Sequence, residues 1–319
     1  MGWLMERPFH VGRRLDHTLG IQSAYGLLWD ATQKRLYIAD KIAGQVVSIP
    51  LKFRSGIPFF EQNNGSDAEA NSCRMSGPTG IATDESTGGL LISAAHAGAI
   101  YRCPRDLSSK TLLAGTNDGQ TPRIAGYEAT IPATRMHLQS LNHPTKVISI
   151  RNGRILFIER GFQCLRSLSE NSGISSVFSS SSREHLSPLW QPPPKIDITD
   201  YNPAFPTDLC VDVHGTIYLS DASHHCVWSL PRDHFVMTRV YYNPSNERGG
   251  PGALYLDGSI LWIFDYNGPH IVGLDISQAK VREVNRISMP ESFISLGCRR
   301  NEGTGMTGIP SETGVFSHG

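Results

Sequence analysis

A stretch near the middle of the chain, residues 217–230 (IYLSDASHHCVWSL), holds Asp221, His224, His225 and Cys226 within six positions. Imidazole, thiolate and carboxylate groups are the protein ligands of zinc, and histidine is also a common general acid or base. The stretch therefore indicates a metal site or a catalytic cluster, unless its residues serve the fold. Which of these holds depends on the elements that position the four side chains.

The pattern of this stretch recurs along the chain. Each copy has a short apolar run, a polar turn, a hydrophobic strand such as LYIAD or IYLSD, a short loop and a third strand such as VVSI or VWSL. The five copies are Gly26–Ile49, Gly80–Cys103, Lys146–Leu168, Asp208–Leu230 and Ala253–Leu274. From the end of the second strand to the start of the third is six positions in four copies, and five in the third copy, from Arg160 to Leu165. Such constant spacing predicts a repeated unit of three β-strands.

Proline precedes the first strand in four copies, at Pro78, Pro144, Pro206 and Pro251. It fits there because the first residue of a strand need not donate a hydrogen bond. The strands are nearly continuous apolar runs, which is typical of sheets covered on both faces. Short, evenly spaced strands with one motif per unit predict an all-β fold, a β-propeller with five clear blades. The stretches KTLLAGT (110–116) and FVMTRVYY (235–242) fit a fourth, outer strand.

We expect the blades to occupy residues 21–285. Residues 1–20 fit a closing strand, and residues 286–319 fit either a partial sixth blade completed by the two termini or a truncated tail. The Ser- and Pro-rich stretch 169–205 and the polar stretch 60–75 are interpreted as loops inserted at the rim.

The charge of the chain restricts the partners that are expected. Its 319 residues include 29 basic and 29 acidic ones, without a block of like charge, so neither nucleic acid nor an anionic membrane is favoured. No apolar run approaches the roughly 20 residues that span a bilayer, and the N-terminal residues lack the apolar core of a signal peptide. Both ends are compatible with cuts in a longer protein, and no localisation is predicted.

The six cysteines include no C-x-x-C pair, so a zinc ribbon is not expected. Cys210 lies in the first strand of its copy and Cys226 at the start of the third. A disulfide requires Cα atoms within about 7 Å. We therefore predict that these two cysteines are not bridged.

Candidate ligand contacts lie in the loops between the second and third strands. These loops all leave a propeller on one face, where ligands commonly bind. The candidates in or beside them are Lys41, His96, Arg160, Phe162, His224, His225, Tyr266 and His270. The histidines among them either converge on one ion, or are exposed or bonded to neighbouring backbone. If Cys226 begins a strand, side chains alternate there, so His224, His225 and Cys226 are not expected to hold one ion.

Arg160 is interpreted as standing where three other copies have aspartate. That aspartate is expected to accept backbone N–H groups of the loop, which arginine cannot do. Arg160 is therefore expected either to hold an anionic ligand or to pair with Glu159.

The repeated motif resembles the NHL-repeat family of β-propellers. The matching residues are Gly77-Pro78-Thr79-Gly80-Ile81, LYIAD ending at Asp40, and the spacing of Asp221, His225 and Val227. The resemblance covers about residues 21–285 and implies six blades, sometimes five, around a central channel. His224 and His225 fall on positions that commonly carry Asn and His in this family, which favours a structural role for the histidine pair.

The resemblance also extends to two groups of propeller enzymes. Peptidyl amidating lyases with a similar blade pattern bind zinc through histidines directly after the blade-opening prolines, where this chain has Thr79, Thr145, Thr207 and Gly252. Calcium-dependent lactonases and esterases use acidic and amide residues of the channel, to which Asp208 and Asn142 could correspond. Neither set is complete here.

Together these features favour a binding or scaffold propeller over an enzyme. Its partner is expected to be a protein or a small-molecule ligand; some family members bind RNA, which the neutral charge does not favour here. The alternative is a metal-dependent hydrolase or lyase with its site at the channel mouth. No cofactor is predicted, and calcium or zinc enters only under that alternative.

Overall fold

The computed structural model describes residues 21–54, 57–59, 71–116, 127–150, 153–179, 205–231, 237–243, 250–265, 270–277 and 281–288. At 52–54, 57–59, 178–179, 270 and 288 only the backbone is described. Most of these residues lie in β-strands, which pair in antiparallel fashion into five main sheets.

The sheets are the blades of the propeller, numbered here along the chain. Blade 1 consists of β1 (Ala24–Asp30), β2 (Arg35–Asp40), β3 (Gln45–Pro50) and, at its outer edge, β6 (Asn71–Arg74), while β4 (Lys52–Arg54) and β5 (Ile57–Phe59) form a separate hairpin. Blade 2 consists of β7 (Pro78–Thr83), β8 (Leu90–Ala94), β9 (Ala99–Cys103) and β10 (Thr111–Gly115). In blade 3 the strands are β12 (Pro144–Ile150), β13 (Arg154–Glu159), β14 (Cys164–Ser169) and β15 (Gly173–Ser179), with β11 (Thr130–Ile131) outside β15.

Blade 4 consists of β16 (Pro206–Val211), β17 (Ile217–Asp221), β18 (Cys226–Leu230) and β19 (Thr238–Tyr242). Blade 5 consists of β20 (Pro251–Asp257), β21 (Ile260–Asp265), β22 (His270–Asp275) and β23 (Arg282–Ser288). The inner strands β1, β7, β12, β16 and β20 each pack against the next one along the chain. The predicted all-β propeller with five blades is confirmed.

Hydrophobic layers between blades hold the ring together. Every residue of β8, β17 and β18 is buried, as expected for strands with a blade against each face. Four core clusters lie between successive blades: one contains Tyr37 and Ile81, the next Leu91 and Val147, the third Leu156 and Leu209, and the fourth Tyr218 and Leu254. The blades are therefore stabilised mainly by their neighbours.

Hydroxyl groups add hydrogen bonds between blades next to the channel. The Thr79 Oγ1 hydroxyl of blade 2 donates to the Pro144 carbonyl of blade 3 at 2.9 Å, and Thr207 Oγ1 of blade 4 repeats the bond to the Pro251 carbonyl of blade 5 at 3.1 Å. Between blades 3 and 4, Lys146 Nζ lies 2.7 Å from Asp208 Oδ1. Threonine therefore follows the blade-opening prolines for a structural reason.

Two stretches that were predicted to be loops contain outer strands. Residues 110–116 and 235–242 do contain the outer strands β10 and β19, as predicted. However, β15 falls within the stretch 169–205 and β6 within 60–75, so both predicted insertions began too early or ended too late. Edge strands pair on one side only and carry polar residues. They therefore lack the apolar runs from which the other strands were predicted.

The strand pairing at the end of β13 shows that Arg160 was wrongly aligned with the aspartate position of the other copies. Pro144 pairs with Glu159, just as Pro206 pairs with Asp221. Glu159, and not Arg160, therefore stands at the aspartate position, and from it to Leu165 is six positions, as in the other copies. The backbone N–H of Arg160 donates to the His143 carbonyl as Lys41 N–H donates to Ser23. Arg160 is thus the counterpart of Lys41.

Cys210 and Cys226 are both free, which confirms that they form no disulfide. Cys226 pairs with Asp221 across neighbouring strands, and Cys210 pairs with Tyr218. Within the described ranges, no helix has the length and apolar character needed to cross a membrane.

Candidate functional site

Buried carboxylates fix the loops of one propeller face. The Asp40 carboxylate accepts the N–H groups of Gln22 at 2.6 Å, Ser23 at 2.9 Å and Ala43 at 3.1 Å. Gln22 and Ser23 lie in the segment leading into blade 1, and Ala43 lies in the loop after β2. The carboxylate therefore holds the start of the inner strand and the β2–β3 loop side by side.

The same arrangement recurs in blades 3 and 4. Glu159 Oε1 accepts the Asn142 N–H at 2.6 Å, and Asp221 Oδ1 accepts the N–H groups of Phe205 at 3.2 Å and His224 at 3.2 Å. In each case the residues that precede an inner strand meet the loop between the second and third strands. The side chains of both segments are presented around the opening of the channel.

Arg160 joins three blades across this opening. Its guanidinium donates to the Tyr25 hydroxyl of blade 1 at 3.4 Å and lies 5.0 Å from the ring centroid of Phe205, which precedes blade 4. Lys41 Nζ lies 5.0 Å from the ring centroid of the same Tyr25. Two aromatic rings therefore form walls beside two cations, in a geometry suited to cation–π contact.

Four basic side chains, Lys41, His96, His143 and Arg160, make up what we call the cationic mouth. Burial and then the charge of Arg160 lower the pKa of Lys41. Burial lowers the pKa of His96 and of His143, with further lowering by Lys41 and by a second basic neighbour, His143 for His96 and Arg160 for His143. Each of these three groups therefore lies within the electrostatic range of at least one other basic side chain of the cationic mouth.

Acidic groups close to the cationic mouth are engaged elsewhere. Asp40 accepts three backbone N–H groups, and Glu159 binds the Asn142 N–H and pairs with the buried Arg166 at 2.9 Å. The expected Glu159–Arg160 pair is therefore wrong. Among the described residues, no ion pair joins Lys41 or Arg160 to an acid.

The other predicted contacts are not among the four side chains of the cationic mouth. Phe162 packs edge-to-face on Tyr127, with ring centroids 5.5 Å apart. The exposed His224 donates from Nδ1 to Asp221 Oδ2 at 2.7 Å, and His225 has the left-handed φ of +52° that glycine adopts at the same place in Gly44 and Gly98. These contacts give the His-His pair a role in the loop. Tyr266 lies outside the described residues, and of His270 only the backbone, at the start of β22, is described.

Three residues of the site did not emerge from the sequence. His143 directly precedes the blade-opening Pro144 and has a left-handed φ of +54°, like Gly77 before Pro78. Its ring donates from Nδ1 to Asn142 Oδ1 at 2.9 Å. Tyr25 and Phe205 hold similar places at the start of their blades. Reading the residues beside the blade-opening positions, and not only the loops, would have found all three.

The residues considered for metal chemistry have structural partners. Asp208 pairs with Lys146, and its Oδ2 accepts the Leu254 N–H at 2.8 Å. Asn142 accepts from His143, as described above. No group of three or more His, Cys, Asp or Glu side chains suited to a metal ion occurs in the part of the chain that the structure describes.

Comparison with known proteins agrees with this architecture. Antiparallel blades packed in sequence around a channel define a β-propeller. Residues 204–229, which cover the stretch that opened the sequence analysis, match the family model of the NHL repeat. This match, together with the five blades, supports an NHL-repeat β-propeller. A search of curated protein sequences finds no match.

Solved structures show the same fold at low identity. A chain from a nidogen/laminin complex is 13% identical with a TM-score of 0.55, covering 85% of this chain and 82% of that one. The gluconolactonase XC5397 from Xanthomonas campestris is 17% identical with a TM-score of 0.53, covering 85% and 78%. A luciferin-regenerating enzyme is 15% identical with a TM-score of 0.52, covering 84% and 76%. The fold thus serves a binding complex and enzymes alike, so function has to be argued from the site.

Proposed function

We propose that this protein is a binding module that takes an anionic group of its ligand, a carboxylate or a phosphate, at the cationic mouth. The observation that carries the proposal is the juxtaposition of Lys41 and Arg160, which lack an acidic partner among the described residues. Burial, and then the charge of Arg160, lower the pKa of Lys41, so the two neighbouring cations destabilise each other. An anion between them replaces this repulsion with two attractions.

The surrounding groups suit such a ligand. The arginine fork can bind a carboxylate or phosphate through two parallel hydrogen bonds, whereas lysine acts as a point charge. The Tyr25 hydroxyl accepts a hydrogen bond from the guanidinium, and the Phe205 ring lies beside it, so less side-chain freedom is lost when the ligand binds. The ligand is either a small acid or an acidic side chain of a partner protein, since both offer the same chemistry.

The proposal is tested by calorimetry and thermal shift with inorganic phosphate and with citrate. Arg160→Met and Lys41→Met are expected to weaken binding about tenfold or more, because hydrogen bonds to charged groups contribute about 1.5–3 kcal/mol. Both substitutions keep most of the side-chain length. Arg282→Met removes a charge from the exposed outer strand β23 and is the matched control. Equal binding by all four proteins, or no binding by any, would rule the site out.

The pH dependence gives a second readout. His96 and His143 have pKa values below the ordinary 6.5, so both are mostly neutral at neutral pH. A bound anion favours the imidazolium and raises both pKa values, so binding takes up protons and tightens as the pH falls from about 7.5 to about 5.5. Replacing both histidines by asparagine, which tolerates the left-handed backbone of His143, is expected to flatten this slope. A slope that survives the double substitution would exclude the histidines from the site.

A further inference from the structure

A pair of buried thiols lies in the layer between blades 1 and 2. Cys73 is the buried residue of the outer strand β6, and Cys103 ends β9 of blade 2. Both belong to the core cluster that these two blades share, so their side chains enter one layer from opposite sheets. Burial, then the charge of Cys73 and a hydrogen bond with its thiol, raise the pKa of Cys103 to about 12. The two thiols are therefore in contact.

The other described cysteines have neighbours of a different kind. Burial raises the pKa of Cys164, Cys210 and Cys226 to about 12, and the charged groups that act on them are acidic and basic side chains. Glu159 is the nearest of these influences for Cys164, and Asp208 for Cys210. Within the part of the chain that the structure describes, the two thiols between blades 1 and 2 are thus the pair of cysteines in contact.

Lys110 completes this group and ties the two blades together. Its Nζ donates to the Arg74 carbonyl at 2.7 Å and lies 5.3 Å from the ring centroid of Tyr101. The Cys73 thiol points to the same Arg74 carbonyl, at 3.9 Å. Because Lys110 directly precedes the outer strand of blade 2, its contact holds β6 against that blade. Its charge also opposes the effect of burial on the pKa of Cys103, and so favours the thiolate there.

The position of β6 allows the two sulfur atoms to come closer. A disulfide needs Cα atoms within about 7 Å, whereas facing sheets lie about 10 Å apart, so a bridge requires one strand to approach the other. β6 has four residues, three of them exposed, and it pairs with β3 alone. β9 lies between β8 and β10. The edge strand is therefore the one that moves.

We infer that Cys73 and Cys103 are a modification site, at which a small-molecule disulfide such as oxidised glutathione converts the two thiols into a reversible bridge between blades 1 and 2. The Cys73 thiolate, on the edge strand, attacks one sulfur of glutathione disulfide. This step forms a mixed disulfide and releases one glutathione thiolate. Cys103 then loses its proton to solvent and attacks the Cys73 sulfur, which releases the second glutathione. In total the cysteines lose two protons and two electrons, and these reduce glutathione disulfide to two thiols.

The bridge has an expected effect on stability. It closes the 31 residues from Cys73 to Cys103 into a loop, which restricts the unfolded chain. Oxidation is therefore expected to raise the unfolding temperature by several degrees. The inference makes no use of the cationic mouth, so anion binding and the bridge can each fail without the other.

Oxidation of the folded full chain tests the inference. The protein is incubated in glutathione buffers of increasing oxidised fraction, its free thiols are blocked with iodoacetamide, and its peptides are analysed by mass spectrometry. We expect a Cys73–Cys103 peptide and a loss of about 2 Da for the two hydrogens. Cys226→Ser, which removes a buried thiol of blade 4, is the matched control and is expected to keep the bridge. Cys103→Ser is expected to stop at the mixed disulfide on Cys73.

The unfolding temperature provides a readout that does not depend on the peptides. The rise on oxidation is expected in the unsubstituted protein and in Cys226→Ser, and dithiothreitol should reverse it. Cys73→Ser, at the edge of blade 1, is expected to show no rise. Equal rises with and without Cys73 would contradict a bridge at this site.

The rate of closure tests the part played by Lys110. Lys110→Met is expected to slow the second step several-fold, so that the mixed disulfide on Cys73 accumulates, whereas Lys34→Met, on an exposed lysine, is expected to change nothing. A mixed disulfide that persists in the unsubstituted protein would overturn the inference, because Cys103 would then be out of reach. No oxidation of the folded chain, or a bridge between two chains or to another cysteine, would also overturn it.

Discussion

At the scale of single residues, the groups that suggested chemistry are mostly used to build loops. Asp221 accepts the N–H groups of Phe205, Ser223 and His224 with one oxygen and the ring N–H of His224 with the other. Its lone pairs are therefore occupied by the chain itself. The functional potential lies with Lys41 and Arg160, which the loops present and which have no acidic partner within the described part of the chain.

The buried Glu159–Arg166 pair gives a prediction at this scale. Both side chains are almost fully buried, and burial raises the pKa of Glu159. Arg166→Met leaves this carboxylate without its cation, and we expect it to lower the free energy of unfolding by about 3–5 kcal/mol. Arg135→Met, which breaks the exposed pair with Glu128, is expected to cost less than about 1 kcal/mol. Urea denaturation measures both.

The pH dependence of the Arg166 variant follows from the same pair. Without Arg166 the pKa of Glu159 rises further above that of the unfolded chain. A raised carboxyl pKa stabilises the folded state at low pH, and that contribution is lost as the pH rises through the folded value. The deficit of the variant is therefore expected to shrink as the pH falls towards about 5. Adding Glu159→Gln should recover part of the loss at neutral pH, and no recovery would contradict the explanation.

At the scale of elements, much of the architecture was predictable because the middle strands are buried on both faces. Burial selects apolar residues at every position of β8, β17 and β18, and this leaves a repeated pattern in the sequence. The outer strands β6 and β15 carry polar residues and were missed. The end of β13 was misplaced by one residue because glutamate replaces aspartate there, and the next residue, Arg160, interrupts the expected motif.

The site was only partly predictable for a related reason. Lys41, His96 and Arg160 lie in loops whose shared face follows from the repeat itself. His143 and Phe205 directly precede inner strands, and Tyr25 is the second residue of β1. They join the site because carboxylates such as Asp40 and Glu159 tie the residues at the start of the inner strands to the loops. That tie is a long-range hydrogen bond, which no local pattern of residues reveals.

Alanine substitutions at two glycines distinguish the cost of a left-handed backbone from the cost of a steric clash. Gly98 and Gly258 both have a φ of +59°. A Cβ at Gly98 would lie 2.1 Å from Ser140 Oγ and 2.7 Å from the Leu141 carbonyl oxygen, whereas one at Gly258 would meet nothing within 4 Å. Gly258→Ala is expected to cost about 1–2 kcal/mol, the price of a left-handed alanine, and Gly98→Ala clearly more. Similar losses in chemical denaturation would show that the loop after β8 moves away freely.

At the scale of the whole molecule, stability is distributed along the row of blades. Each blade packs mainly on its neighbours, so the free energy of local opening depends on how many faces are covered. Blade 3 lies between two full layers, which contain Phe157 on one side and Leu156 on the other. Blades 1 and 5 each share such a layer with one described neighbour blade, and among the described residues they share none with each other.

Hydrogen exchange of a chain that ends at Ser288 tests this distribution. Amides of β13 and β14 are expected to exchange most slowly, because opening them requires both layers of blade 3 to separate. Amides of β1 and β20 are expected to exchange fastest among the inner strands, since Leu27 and Tyr255 already face solvent. Uniform exchange across all inner strands would mean that the blades unfold as one unit and that neighbour packing does not set local stability.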